Sequence, residues 1–494
     1  MTCVLSVDQG TSATKAVIFD TDGRMVAQAS ADLQCSYPRP GFVEQDPHAI
    51  YASVIEAVRC CVAAFRDQGR DPRDVATCGI SNQRETFALW DPDGEPLCPA
   101  VSWQCERSAA ICERLRATGR EPEVSARTGL LVVPYFSATK LLWLMENDAA
   151  VRQAVRAGRA RFGTVDTWLL WKLTGGRVFA TDHTNASRTL LFNLDSLAWD
   201  PHLVEQWKLQ GLVLPDCRPT VDRYGRTDFD AALPAPIPID AMVGDSQAAA
   251  FGERCFVPGT AKATLGTGTS VVMDAGERRR PAGSGIVATV GWSTRAVTHY
   301  ALEGIIVSSG ATIAWMRDQL GLFSASAETE ALAASVADSG GVVVLPAFSG
   351  LGSPWWKSGA RASISGLTLA SRREHVVRAG LESISFQIAD VLDAMRRQLG
   401  EDLRELRVDG GMTGNRFLLQ HLADLLPVPV LSAGMAEVSA LGAALLAGIG
   451  AGLFRSAAEL PPFPGPPRRF TAGPGAAAAK SAYANWRKVV AGLA

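Results

Sequence analysis

Two short glycine turns, each between apolar strands and about half the chain apart, constrain this sequence more than any other feature. In the first, Val4-Leu5-Ser6-Val7 runs into Asp8-Gln9-Gly10-Thr11-Ser12, and Ala16-Val17-Ile18-Phe19 leads out. In the second, Ala261-Lys262-Ala263-Thr264 runs into Leu265-Gly266-Thr267-Gly268-Thr269, and Ser270-Val271-Val272-Met273 leads out. A chain that uses one strand–turn–strand device twice predicts two related α/β domains facing one another. Its 494 residues leave room for two large domains.

Other local signals fill in the frame. Asp22-Gly23 marks a hairpin before Met25-Val26-Ala27. Asp46 is a natural N-cap and Pro47 a natural first residue of a helix, whose apolar positions Ile50, Val54, Ala57 and Cys61 recur at helical spacing. A long helix is predicted from Ser371 to Leu399, with Ser371 and Glu374 at capping-box spacing and Gly400 as terminator. Leu406-Arg407-Val408-Asp409 reads as a strand, Gly410-Gly411 as a tight turn, and Asn415 to Leu426 as a helix. The Pro-rich run Pro461 to Pro467 closes the compact core, and a terminal helix is expected from about Ala476 to Leu493. The boundary between domains falls near Phe251-Gly252, giving residues 1–252 and 253–494.

Composition excludes several classes. A formal charge of -2 lacks the basic excess of a nucleic-acid surface. The ten cysteines include no Cys-x-x-Cys pair and no zinc spacing, which predicts thiols in a reducing cytosol. No signal peptide is evident and no stretch approaches the ~18 consecutive apolar residues of a membrane span, so a cytoplasmic protein is expected.

The turns are suited to phosphate. Gly10 permits close backbone approach, Thr11 and Ser12 bring hydroxyls, and Lys15 brings a cation; backbone N–H arrays of this kind hold anions. The Walker spacing is absent, and either turn alone can equally close a hairpin. Arg84-Glu85 has two readings. Neighbouring opposite charges commonly form a solvated surface pair, but the same pair can donate to and accept from vicinal hydroxyls. Trp103 and Tyr135 are either core aromatics or the wall of such a pocket. Asp245, between Gly244 and Ser246, is either a strand-ending turn residue or a base that takes a hydroxyl proton. Phosphoryl transfer needs mainly positioning and charge neutralisation, a role for the turn amides and Mg²⁺; Asp8 is the natural carboxylate to hold the ion.

Taken together, these residues resemble the FGGY carbohydrate kinases, nearest to the members that act on glycerol. The likeness runs from Asp8 to about Gly448. It includes Gly79 to Glu85, Trp103-Gln104, Pro134 to Lys140, Gly163 to Trp168, Thr184-Asn185-Ala186-Ser187-Arg188, Gly244-Asp245, Pro346 to Gly352 and Val408-Asp409-Gly410-Gly411. The resemblance implies a two-domain actin-like ATPase (ribonuclease H-like) α/β fold with a central cleft, ATP as donor and Mg²⁺ as cofactor. It carries the acceptor pattern onto Arg84, Glu85, Tyr135 and Asp245, with Trp103 and Ser246 beside them and Asp245 as base. The nucleotide pattern falls on Thr11, Ser12, Lys15, Thr267, Gly310, Gly411 and Asn415. The metal ion itself is expected at Asp8 and Asp245. A homo-oligomer, dimer or tetramer, is implied as well.

Four positions depart from the family pattern. Ser246 stands for a glutamine, Ser270 for an aromatic residue, Ala314 for a glutamine and Lys15 for an arginine. The first two remove bulk from the acceptor side and add hydroxyls. The expected activity is therefore ATP-dependent phosphorylation of a terminal hydroxyl of glycerol or a close polyol. A tetritol such as erythritol, or a pentulose, is the alternative acceptor, and a non-catalytic nucleotide-binding protein of the same fold is a further reading.

Overall fold

A computed structural model describes residues 2–492. The first sheet holds β1 (Cys3–Gln9), β2 (Ala13–Asp20), β3 (Met25–Asp32), β4 (Val75–Asn82), β5 (Val221–Thr227) and β6 (Ile237–Gly244), in the order β5-β6-β4-β1-β2-β3. β1, β2 and β3 form an antiparallel meander, and β4 and β6 add parallel to β1. The second sheet holds β7 (Thr260–Leu265), β8 (Thr269–Gly276), β9 (Val287–Ser293), β10 (Thr298–Ile306), β11 (Glu405–Asp409), β12 (Val430–Ser432) and β13 (Arg468–Phe470). Its order, β9-β10-β8-β7-β11-β12-β13, repeats the scheme: β7, β8 and β10 run antiparallel, and β11 and β12 add parallel to β7. Each glycine turn joins the first two strands of its sheet. The two-domain actin-like α/β architecture expected from the sequence is the one observed.

Helices cover the sheets. α1 (Pro47–Asp67) starts as its sequence requires, with Asp46 accepting the His48 N–H and Pro47 in the first turn. It is long and apolar enough in composition to cross a membrane, yet Ile50, Val54, Ala57, Val58 and Cys61 lie in the core of the first domain. α2 (Asp245–Gly252) follows β6, and α6 (Val438–Gly450) follows β12. The two therefore occupy equivalent places in the two repeats, and they pack against each other backbone to backbone. A Cβ added at Gly442 would overlap the Ala248 carbonyl, and one at Gly252 the Val438 carbonyl. α6 also lies on the first sheet, where Gly79 leaves space for the Ala443 carbonyl. One core made of Val4, Val17, Val243, Ala248, Phe251 and Ala440 to Ala447 thus joins the two halves.

α3 (Gly310–Asp318) follows β10. The long helix α4 is Arg373–Leu399, ending at Gly400 in the left-handed region (φ 76°). Its start differs from the expected capping box. Ser371 Oγ accepts the Thr368 N–H in a local turn, and the Arg372 N–H is satisfied by His375 Nδ1 at 3.0 Å. The nearby turn outcompetes the helix for the serine hydroxyl. α5 (Arg416–Leu425) is capped by Asn415, whose Oδ1 accepts the Leu418 N–H. The terminal helix α7 is Ala476–Ala491; the expected end at Leu493 lies outside the described residues. It docks through Asp390 of α4, which accepts from Tyr483 Oη at 2.7 Å, Trp486 Nε1 at 3.0 Å and Trp355 Nε1 at 3.1 Å. Of the adjacent cysteines, Cys61 is buried and Cys60 exposed.

Candidate active site

Two strand ends supply the central charges. Asn82 closes β4, and the chain turns through Gln83, Arg84 and Glu85; Gly244 closes β6, and Asp245 opens α2. Both strands run parallel to β1, so these ends lie beside its turn. Arg84 and Glu85 are buried, which overturns the solvated-pair reading. They also do not pair with each other. Glu85 takes a left-handed backbone conformation (φ 62°), strained for a glutamate, that sends the two side chains apart. Arg84 Nε lies 3.0 Å from Asp245 Oδ1, and Glu85 Oε1 accepts from Arg188 Nε at 2.6 Å.

The guanidiniums share a carboxylate that sequence reasoning did not single out. Glu303, on β10 of the second sheet, accepts Arg84 Nη1 and Nη2 at 2.8 and 2.9 Å, and its Oε2 lies 2.6 Å from Arg188 Nη1. Such fork-to-fork pairing fixes geometry as well as charge. Burial pushes the Glu303 carboxyl up, but Arg188 and Arg84 outweigh it and hold it at about 2. Burial likewise raises Glu85, against the pull of Arg84 and Arg188. Arg84 also donates to Gln247 Oε1 at 3.2 Å. Ser270 donates its hydroxyl to Glu303 Oε1 at 3.0 Å. The hydroxyl expected to enrich the acceptor side is thus committed to the clasp.

Asp245 differs from its neighbours in remaining accessible: its side chain is 39% exposed. Both its protein contacts, Arg84 Nε and the Ser246 N–H at 2.5 Å, fall on Oδ1. Oδ2 is therefore the oxygen able to receive a proton. Trp103 and Tyr135 meet edge to face at 5.5 Å between centroids, a partly exposed aromatic wall rather than core. Buried Lys140 holds that wall from behind, donating to the Tyr135 carbonyl at 2.8 Å and the Trp103 carbonyl at 3.4 Å. Burial lowers this lysine to about 8.

Around the first turn, Trp103 Nε1 donates to Thr11 Oγ1 at 2.9 Å and Gln45 Nε2 to the Thr11 carbonyl at 2.8 Å, while Ser12 is exposed. Lys15 points elsewhere than a lone phosphate cation would: its Nζ lies 2.9 Å from both oxygens of Glu437, ahead of α6. At the second turn the Gly310 N–H donates to the Gly266 carbonyl, and Ser309 and Ala311 N–H groups to the Thr267 carbonyl. A Cβ at Gly310 would stand 2.6 Å from the Gly266 oxygen, and one at Gly410 (φ 93°) 2.6 Å from the Leu265 oxygen. Gly411 opens outward, where an added methyl group would meet nothing within 4 Å, and Thr267 is exposed beside it. Asn415, besides capping α5, donates to Thr329 Oγ1 at 3.1 Å.

Asp8 accepts from Ser81 Oγ at 2.8 Å. Burial raises its carboxyl to about 6, with the charge of Asp245 adding to the rise. The charge of Asp245 reaches Asp8, and two such hard oxygen donors suit Mg²⁺, which uses one or two carboxylates and takes its remaining ligands from water and phosphate. Among the described residues no cluster of three or more His, Cys, Asp or Glu side chains forms a dedicated metal cage.

Comparison with known proteins identifies the family. The model of the FGGY family of carbohydrate kinases, N-terminal domain, matches residues 3–252, and that of the C-terminal domain matches residues 261–451. The chain is 46% identical to a glycerol kinase of Symbiobacterium thermophilum, over 99% of this chain and 97% of that protein. It is 43% identical to glycerol kinase 2 of Thermotoga maritima, over 99% and 98%. Among solved structures, Plasmodium falciparum glycerol kinase with ADP superposes with a TM-score of 0.90 at 31% identity, covering 99% of this chain and 98% of the other. A gluconate kinase of Lactobacillus acidophilus shares the fold, with a TM-score of 0.89 at 22% identity and coverage of 100% and 98%.

Proposed function

The chain belongs to the FGGY family of carbohydrate kinases, and on that premise we propose that it transfers the terminal phosphoryl group of ATP to a terminal hydroxyl of glycerol or a close polyol. One observation carries the reading: an accessible carboxylate, Asp245, is gripped at a single oxygen by a buried arginine whose neighbour is a buried glutamate. Arg84 donates to acceptor hydroxyls and Glu85 accepts from them, while Trp103, Tyr135 and Ser246 wall the pocket. Asp245 Oδ2 takes the hydroxyl proton as the oxygen bonds to phosphorus and the bond to ADP breaks. Thr11, Ser12 and Lys15 on one side, with Thr267, Gly310, Gly411 and Asn415 on the other, hold the nucleotide. Asp8 and Asp245 would hold Mg²⁺, which when bound neutralises phosphate charge. Lys15 serves this role while tied to Glu437, as a shared rather than a lone charge.

The small side chains of Ser270 and Ser246 favour a second acceptor class, a tetritol or a pentulose, over the same reaction. Hydroxyl recognition depends on paired polar groups, so a panel of polyols and ketoses separates the two by kcat/KM. Asp245→Asn is expected to lower kcat by about 10²-fold with ATP binding nearly intact. Turnover near wild type in that variant removes Asp245 from the chemistry. The family resemblance further supports a cytoplasmic dimer or tetramer, which light scattering of the purified chain tests.

A further inference from the structure

Arg84 and Asp245 leave strand ends that are register partners, since Asn82 of β4 pairs with Gly244 of β6. A single helical turn, His183–Ala186, grips both ends. Asn185 and Asn82 exchange side-chain amide hydrogen bonds of 2.9 and 3.2 Å. Thr184 Oγ1 accepts the Gly244 N–H at 2.8 Å and donates to Asp182 Oδ1 at 2.8 Å. Asp182, Thr184, Asn185 and Asn82 are all fully buried.

Asp182 immobilises the turn. Its carboxylate also accepts the backbone N–H groups of Thr184 and Asn185 and the Asn185 side-chain amide, each at 2.8 Å, and Thr220 Oγ1 at 3.0 Å. A hydroxyl has one proton to give. With that proton directed to Asp182, the oxygen lone pair of Thr184 is left for Gly244. The Gly244 peptide is confined on its other side as well, where an added Cβ would stand 2.5 Å from Arg84 Cδ.

We propose that Thr184 is a positioning residue for phosphoryl transfer: through the Gly244 amide, its hydroxyl sets the direction in which the Asp245 carboxylate leaves β6. It touches no reacting atom, and the assignment rests on Asp245 acting as base. The same motif serves the acceptor through Arg188, so residues 182–188 hold both partners of the reaction in one rigid unit.

The test is Thr184→Val in the full-length protein, with ATP and the best acceptor of the polyol panel. A base displaced by a fraction of an ångström to an ångström loses about 10-fold to 10²-fold in kcat, and that loss is expected here. KM for ATP should stay within about 3-fold, since both nucleotide turns are untouched, and any rise in acceptor KM should be smaller than the fall in kcat. Thr184→Ser should restore most of the loss. Combined with Asp245→Asn, Thr184→Val should add no further fall, because no base remains to be aimed. Wild-type kcat in Thr184→Val, a full extra loss in the double variant, or a serine variant as poor as valine overturns the proposal. Full activity of Asp245→Asn alone instead defeats the assignment of Asp245 as base, so the two failures are distinguishable. Should Thr184→Val not fold, hydrogen exchange at Gly244 in the wild-type protein decides: a protected amide is expected, and rapid exchange overturns the bond.

Discussion

Glu303→Gln keeps the shape of a fully buried side chain and removes one charge from a group in which Asp245, Glu303 and Glu85 face Arg84 and Arg188. Two routes give its cost. Glu303 titrates at about 2 in the folded protein, against an ordinary value of 4.5. A depression of that size is worth about 3 kcal/mol in favour of the folded state at neutral pH. Removing one partner of a buried ion pair costs about 3–5 kcal/mol, and glutamine, which still accepts from Ser270 or one guanidinium, falls at the low end. Both routes give about 3 kcal/mol. The sign follows from the folded value lying below the unfolded one: this stability is fully present above pH 4.5 and is lost as pH falls towards 2. Urea titrations of wild type and variant at pH 7, repeated down the acid limb, measure both quantities. The variant should unfold at lower urea at pH 7 and show a flatter acid limb. With Arg84 loosened, the acceptor KM should rise about 10-fold, the cost of roughly one weakened charged hydrogen bond. An unchanged urea midpoint together with an unchanged acceptor KM refutes the reasoning.

Asp390→Ala leaves the buried donor Trp486 and the half-buried donors Trp355 and Tyr483 without their acceptor, and should cost about 2–3 kcal/mol. Limited proteolysis should then clip α7 first. Gly442→Ala places a methyl group on the Ala248 carbonyl between two tightly packed helices, so the yield of folded protein should fall sharply while a surface control such as Gly359→Ala does not reproduce the loss. His183 and His421 are both held at about 4, by burial in each case and with Arg378 adding to the effect at His421. Their folded values lie below the unfolded one, so stability present above pH 6.5 is lost as pH falls to 4, by about 3 kcal/mol at each site. His421→Gln should blunt this loss in thermal melts taken across that window.

What was legible in the sequence is local. The strand–turn–strand pairs, the Asp46-Pro47 helix start and the Gly400 stop each depend on residues a few positions apart, and each stands where its chemistry puts it. The Ser371 capping box failed on equally local grounds, because two turns competed for one hydroxyl. The clasp was hidden for a different reason. Arg188 meets Glu85 across 103 positions of sequence and Arg84 meets Glu303 across 219, and no spacing rule speaks over such distances. Two signals pointed at it without disclosing it: Arg84 and Glu85 stood adjacent, and Arg188 closed a recognisable motif. Glu303, inside an ordinary strand, offered none. Lys15 is similar, for its partner Glu437 lies 422 positions away.

The clasp has a mechanical corollary. Arg84 and Arg188 belong to one lobe and Glu303 to the other, so the floor of the proposed acceptor pocket is itself the rivet between lobes. A swing of the lobes that leaves this rivet intact pivots about the acceptor and gapes on the nucleotide side, as the jaws of pliers move about their pin. Exchanging one lobe for that of a relative would replace half of the rivet, and acceptor choice would change along with the stiffness of the joint.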